Sequence, residues 1–275
     1  MTEWIAPRTL EEAVLVRGEV GDDATVVAGG TFIGILMNQG LLVPLKVLSL
    51  QYVDELRYVR GGDELRLGAM TTHRSVERSE EVDRRWPALH RAFSLVASPR
   101  VRNQATVGGV LADADYASDP PAMLVALGAS VVALSPQGRR TIPVEELITG
   151  YYETSLEPDE LLTEVRVPAG HDRATYRKFR SRSTEDRPCV AVAAATRDSQ
   201  LRIVVGAVAH RPQLFEDLCA LWDGDGFPDE LCDQIGRRYA ERIDPIEDAR
   251  GSASYRRRVI WVEVRRALQE LREAV

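Results

Sequence analysis

The chain has 275 residues, 44% hydrophobic and 28% charged, which suits a globular protein with one large core or two modest ones. A net charge of −7 argues against a general binder of nucleic acid or anionic membrane. Met1-Thr2-Glu3-Trp4-Ile5 lacks a basic-then-apolar leader and no apolar run approaches a membrane span of about 18 residues, so a cytoplasmic protein is expected. Thr9, followed by Glu11 and Glu12 and helically spaced apolar residues to Val16, predicts a capped helix. Ala24–Ala28 reads as a strand feeding Gly29-Gly30, Phe32 onward as a helix closed near Gly40, and Leu45–Leu50 as a second buried strand. Leu65–Ala69 alternates like a strand, Thr71-Thr72-His73 opens a helix, and Trp86–Val96 continues helically. Pro120-Pro121 suits a first helical turn continued to Leu127, Ser130–Leu134 a strand, Pro136–Arg139 a hairpin turn and Leu161–Val167 a strand. Residues 168–173 read as a linker, dividing the chain into domains of 1–170 (subdomains about 1–57 and 58–170) and 171–275. Cys189–Thr196 and Leu201–Ala209 then read as antiparallel strands, and the tail from Pro228 as helical, ending in a basic amphipathic segment from Tyr255 to Leu271.

Two glycine-rich turns stand out, Ala28-Gly29-Gly30-Thr31 and Ala105-Thr106-Val107-Gly108-Gly109. Paired glycines allow close backbone approach, and free N–H groups at a turn attract anions. Two such turns suggest a pyrophosphate gripped from both sides, with Thr31 and Thr106 adding hydroxyls. Neither turn has the lysine of a P-loop or the G-x-G-x-x-G spacing of a Rossmann turn. Asp119 can accept from sugar hydroxyls, or cap the helix that begins at Pro120. Cys189, Cys219 and Cys232 are too dispersed for zinc or iron–sulfur clusters, and His73, His90, His171 and His210 have no ligand spacing. No metal site is expected, and redox chemistry would fall to an organic cofactor.

Taken in order, Ala28-Gly29-Gly30-Thr31, Leu67–Thr72, Val101–Gly109, Ser118-Asp119, Gly150–Thr154 with Pro158–Leu162, Val205–Ala209 and Asp248–Arg257 cover almost the whole chain. Together they resemble the FAD-binding subunit or domain of the molybdenum hydroxylases, the group containing carbon monoxide dehydrogenase and xanthine dehydrogenase. The resemblance implies an α+β protein: two α/β subdomains forming a PCMH-type FAD-binding domain, then a C-terminal α+β domain of antiparallel sheet and helices. It implies that Ala28, Gly29, Gly30, Thr31, Phe32 and Ile33 wrap the FAD pyrophosphate. Thr106, Gly108 and Gly109 would hold its other face, and Asp119 a sugar hydroxyl. Leu162 aligns with an apolar residue near the flavin, and Lys178 with a basic residue that contacts FAD in some members. Leu162 also reads as strand core and Lys178 as a solvated surface charge. Phe32 and Val110 depart from the family pattern of small or polar residues, each removing a side-chain hydrogen-bonding option near the cofactor.

The implied function is a redox subunit that takes electrons from the [2Fe–2S] clusters of a small partner, downstream of a molybdopterin-containing large one. It would pass them through FAD to NAD+, oxygen or another acceptor. The alternatives are a stand-alone FAD-dependent oxidoreductase acting on a small molecule, and a structural subunit with a degenerate flavin site. No residue stands out as catalytic. Tyr151-Tyr152 either approach the flavin or pack, and the arginine-rich terminal helix is read as salt-bridged or partner-facing rather than as binding nucleic acid.

Overall fold

The computed structural model describes residues 2–183 and 185–273; residues 1, 184, 274 and 275, which include the outer limits of the two expected domains, lie outside it. The first unit runs β1 (Glu3–Ile5), α1 (Leu10–Val20), β2 (Ala24–Val27), α2 (Ile33–Asn38) and β3 (Lys46–Ser49). Its strands form a parallel sheet in the order β1-β3-β2, a pattern that needs crossover segments between strands. Thr9 caps α1, its hydroxyl accepting from the Glu12 N–H at 3.1 Å, while the Glu12 carboxylate accepts from the Arg8 N–H at 2.8 Å. Gly40 closes α2 at φ +71°, and the Leu41 N–H returns to the Leu36 carbonyl at 2.9 Å. Ala13 and Val14 of α1 pack on Leu48 and Leu50 to make this unit's core.

The second unit opens with β4 (Val59–Arg60) and β5 (Glu64–Gly68) and continues through six helices: α3 (His73–Glu77), α4 (Glu80–Arg85), α5 (Pro87–Ser94), α6 (Pro99–Arg102), α7 (Val107–Ala112) and α8 (Pro120–Ala126). It closes with β6 (Ser130–Ser135), β7 (Gly138–Pro143), α9 (Val144–Leu147), the hairpin β8 (Ile148–Gly150) and β9 (Glu153–Thr154), and β10 (Leu161–Pro168). Its five-stranded sheet, ordered β4-β5-β10-β6-β7, is antiparallel throughout. The predicted 86–96 helix is α5, started by Pro87 in the first helical turn. Every residue of α8 is buried.

The last unit consists of β11 (Arg173–Phe179), β12 (Val190–Arg197), β13 (Gln200–Gly206), β14 (Gln213–Leu214), α10 (Glu216–Cys219), α11 (Asp229–Arg242) and α12 (Ala253–Glu273). The four strands form an antiparallel sheet in chain order. Asp198 and Ser199 both take positive φ (+52° and +59°), as a tight two-residue hairpin between β12 and β13 requires. β13 stops at Gly206 rather than at Ala209, because Ala207 turns left-handed at φ +64°. Alternation divides β12 between two cores. Val190, Val192 and Ala194 pack on Ile235, Ile260, Val264 and Leu268 of α11 and α12. Ala191, Ala193 and Ala195 face the other way and join Phe93 of α5 and Leu124 of α8. The largest core therefore runs unbroken across residue 170.

Arginines of α12 are salt-bridged within the chain, while Arg258 pairs with no acid among the described residues. Arg256, Arg257, Arg265 and Arg266 pair with Asp248, Asp244, Asp233 and Glu263 respectively. Among the described residues no helix is long and apolar enough to cross a membrane.

Candidate functional site

A cavity of about 750 Å³ lies where the three units meet. All twelve residues anticipated from the sequence line it: Ala28, Gly29, Gly30, Thr31, Phe32 and Ile33 from one glycine turn, Thr106, Gly108 and Gly109 from the other, and Asp119, Leu162 and Lys178.

The two turns touch at their inner edge. A Cβ on Gly29 would overlap the Gln104 carbonyl and sit 3.3 Å from the Ala105 Cα, so only glycine lets the backbones meet there. Gly30 takes φ +69°. Among the described residues the N–H groups of Gly29, Gly30, Thr31, Phe32 and Ile33 have no partner within the chain. Five consecutive unpaired donors on a cavity wall make a cradle for an anion.

The second turn differs in kind from the sequence expectation. It is the first turn of α7, and its donors are already engaged. The Val107 N–H donates to the Thr71 carbonyl (2.9 Å), Gly108 to Ala69 (2.8 Å), Gly109 to the Thr106 hydroxyl oxygen (3.1 Å) and Val110 to the Thr106 carbonyl (3.1 Å). A Cβ on Gly108 would come within 2.7 Å of the Ala69 Cβ, so that glycine serves the packing of α7 against the end of β5. What remains for a ligand is a bare backbone surface with the N–H and the hydroxyl hydrogen of Thr106, neither of which has a partner among the described residues.

Asp119 stands at the N-cap of α8, but its side chain makes no capping bond, contrary to the capping reading. One carboxylate oxygen accepts from the Tyr176 hydroxyl at 2.7 Å, the other from the Lys178 ammonium at 2.9 Å, and Lys178 also donates to the Leu95 carbonyl at 2.9 Å. The reading of Lys178 as a solvated surface charge is thereby overturned, its side chain being only 1% exposed. Burial raises the Asp119 carboxyl and lowers the Lys178 ammonium, each against the pull of the other's charge. Second lone pairs on Asp119 and a third N–H on Lys178 are left for a ligand. Leu162 belongs to both of its readings, packing in the main core and lining the cavity. The β10–β6 register shifts between Leu162 and Glu164, an irregularity of the kind that re-aims side chains beside sites.

Several lining residues carried no sequence signal of this role. His73 is buried, and its Nε2 lies 3.1 Å from the Thr106 carbonyl, which requires Nε2 to carry the proton. Burial pulls its pKa down to about 4, and Nδ1 is left without a partner. Asp113 is pushed up to about 7 by burial and by neighbouring Asp115, against the opposing charge of Arg187. Asp115 pairs with Arg187 at 2.7 Å, and Arg250 completes that side of the cavity.

Phe32 occupies the N-cap of α2 without a side-chain capping bond. Its ring stacks on Tyr152, centroids 5.5 Å apart and planes 5° from parallel. Val110 is half-buried against the main core, and Tyr151 meets the edges of Tyr116 and His210. Among the described residues no three His, Cys, Asp or Glu side chains converge as a metal site.

The donor set fits a dinucleotide. Five unpaired N–H groups and two threonine hydroxyls suit a pyrophosphate, while Leu162, Leu161 and Val26 supply apolar wall. The volume lies in the upper part of the range of about 300–1,000 Å³ usual for cofactor sites.

Comparison with known proteins agrees with this geometry. Residues 1–170 match the family described as FAD binding domain in molybdopterin dehydrogenase, and residues 174–271 the CO dehydrogenase flavoprotein C-terminal domain. The chain is 33% identical to the carbon monoxide dehydrogenase medium chain of Hydrogenophaga pseudoflava, over 97% of this chain and 95% of that one. It is 32% identical to the nicotine 6-hydroxylase medium subunit of Paenarthrobacter nicotinovorans, over 97% and 96%. A solved structure of the Hydrogenophaga pseudoflava carbon monoxide dehydrogenase, lacking the Mo-pyranopterin moiety, superposes with a TM-score of 0.93 at 33% identity, covering 98% of this chain and 96% of that chain.

Proposed function

Because the chain belongs to the FAD-binding medium subunits of the molybdenum hydroxylases and binds FAD, we propose that it is the electron outlet of such an oxidoreductase. In this reading a [2Fe–2S] small subunit delivers electrons that originate at a molybdopterin-containing large subunit, and NAD+, oxygen or another carrier removes them. FAD supplies a carrier that can be loaded one electron at a time and emptied two at a time.

The chain's own residues bind and orient. Gly29 to Ile33 offer unpaired N–H groups to the pyrophosphate, aided by the hydroxyls of Thr31 and Thr106. Asp119 and Lys178, fixed by Tyr176 and the Leu95 carbonyl, offer one acceptor and one donor deeper in the cavity. Leu162 lines the wall beside the expected flavin ring and keeps water from it. The same reading divides the chain at 170/171, with an inner division near residue 57, and sets the protein in the cytoplasm.

The observation that carries the proposal is the run of five unpaired donors on residues that line a cavity walled by all three units. The test is purification with and without the neighbouring large and small subunits. The expected result is a yellow protein with a flavin spectrum that co-purifies with a cysteine-rich small subunit and is inert alone. A purified chain that turns over a small molecule unaided would establish the stand-alone flavoenzyme instead, and a colourless chain that takes up no added FAD would overturn the reading.

A further inference from the structure

The two glycine turns are joined twice. On the inside, Gly29 lies against the Gln104–Ala105 backbone. On the outside the link passes through side chains: Phe32 stacks on Tyr152, and the Tyr152 N–H donates to the Ala114 carbonyl at 3.2 Å, just beyond the end of α7. Since α7 starts at the second glycine turn, these contacts close a loop that includes the cavity-lining residues Gly30, Phe32, Gly109 and Asp113.

Three features mark the Phe32–Tyr152 contact as the part that opens. Among the described residues it joins the first unit to the β8–β9 hairpin by stacked rings without a hydrogen bond or ion pair, whereas the rest of the loop is covalent chain, close backbone packing or backbone hydrogen bonding. Tyr152 is 50% exposed, so its ring is not held by a core. Both anchor residues on the hairpin side, Tyr152 and Ala114, have left-handed backbones at φ +58° and +46°, which non-glycine residues seldom adopt without a compensating contact. Phe32 lines the cavity, and Tyr152, which does not line it, stacks on that ring.

We propose that Phe32 and Tyr152 form an aromatic clasp that retains the dinucleotide and sets its rate of release. The inference rests on the reading that this cavity holds FAD. Release is measured on the full-length chain loaded with FAD, by the rise of free-flavin fluorescence after dilution, for the wild type, F32A, Y152G, Y152F and the F32A/Y152G double variant. Glycine suits the left-handed backbone at 152, so Y152G removes the ring without adding strain.

F32A and Y152G are each expected to release FAD about two- to tenfold faster, the effect of losing one stacked aromatic pair. The double variant should be no faster than the quicker single one, and Y152F should match the wild type. Unchanged release in both single variants, or effects that multiply in the double, would overturn the clasp. Hydrogen exchange on the FAD-free chain gives a second reading, since F32A should speed exchange of the Tyr152 amide in the β8–β9 turn. A wild-type chain that takes up no FAD would overturn the functional reading together with this one, whereas normal uptake with unaltered release would overturn the clasp alone.

Discussion

At the scale of single residues, the cavity is shaped by groups whose ionisation is fought by burial. Asp113 has its pKa pushed up to about 7, whereas in the unfolded chain it titrates near the ordinary carboxylate value. A carboxyl raised on folding binds its proton more tightly in the native state, so its contribution falls as pH rises from about 4 to 7 and is flat above that. His73 slopes the opposite way. Held neutral down to about 4, it opposes folding as pH drops below the ordinary imidazole value. Replacing Asp113 with Asn should leave stability at pH 4 nearly unchanged and raise it at pH 8 by roughly 1–3 kcal/mol, after allowance for partial exposure. Urea unfolding at the two pH values checks this; equal gains at both would show that Asp113 is not an unfavourably ionised group.

At the scale of elements, the site is held by a charge pair linking the start of α8 to the end of β11. Lys178→Met would leave Asp119 buried with only the Tyr176 hydroxyl, and a loss of about 3–5 kcal/mol is expected in denaturant unfolding. Adding Asp119→Asn should restore a large part of it, because the penalty is the uncompensated charge rather than the missing contact; additive losses would refute this. These elements also mark what the sequence made legible. Thr9, Gly40, Pro87 and Pro120 act through contacts within a few residues, so the ends of α1, α2, α5 and α8 could be read locally. Nine of the twelve expected residues that line the cavity lie on motifs that occur in one order along the chain, which made them legible. Lys178 looked like surface because nothing nearby in sequence announces that Asp119, 59 positions earlier, waits for it. The engaged donors of the second turn were hidden for the same reason, since their acceptors Ala69 and Thr71 lie on another element. His73 and Asp113 carried no motif of their own, only a position that the fold turns inward.

At the scale of the whole molecule, the division between the two family domains is not a division of the core. Ala191, Ala193, Ala195 and Val204 of the C-terminal sheet share one apolar cluster with α5 and α8. Unfolding in urea should therefore show one transition by both near-ultraviolet and far-ultraviolet circular dichroism, and added FAD should move the midpoint upward in proportion to the logarithm of its concentration above saturation. Two separated transitions would mean that the shared cluster does not couple the halves.

The position of Lys178, Arg187 and Arg250 on the cavity wall has a consequence for how the protein is made. During synthesis the amino-terminal turns leave the ribosome first and can fold around Gly29 and Gly108, but they then enclose only part of a vessel. Until β11 has emerged and paired with β12, Asp119 has no ammonium beside it and α8 has no sheet to cover it. On the proposed reading cofactor loading is expected to be a late event in the life of the chain, and a product cut short before residue 178 is expected to carry the fingerprint of a flavoprotein and retain no flavin.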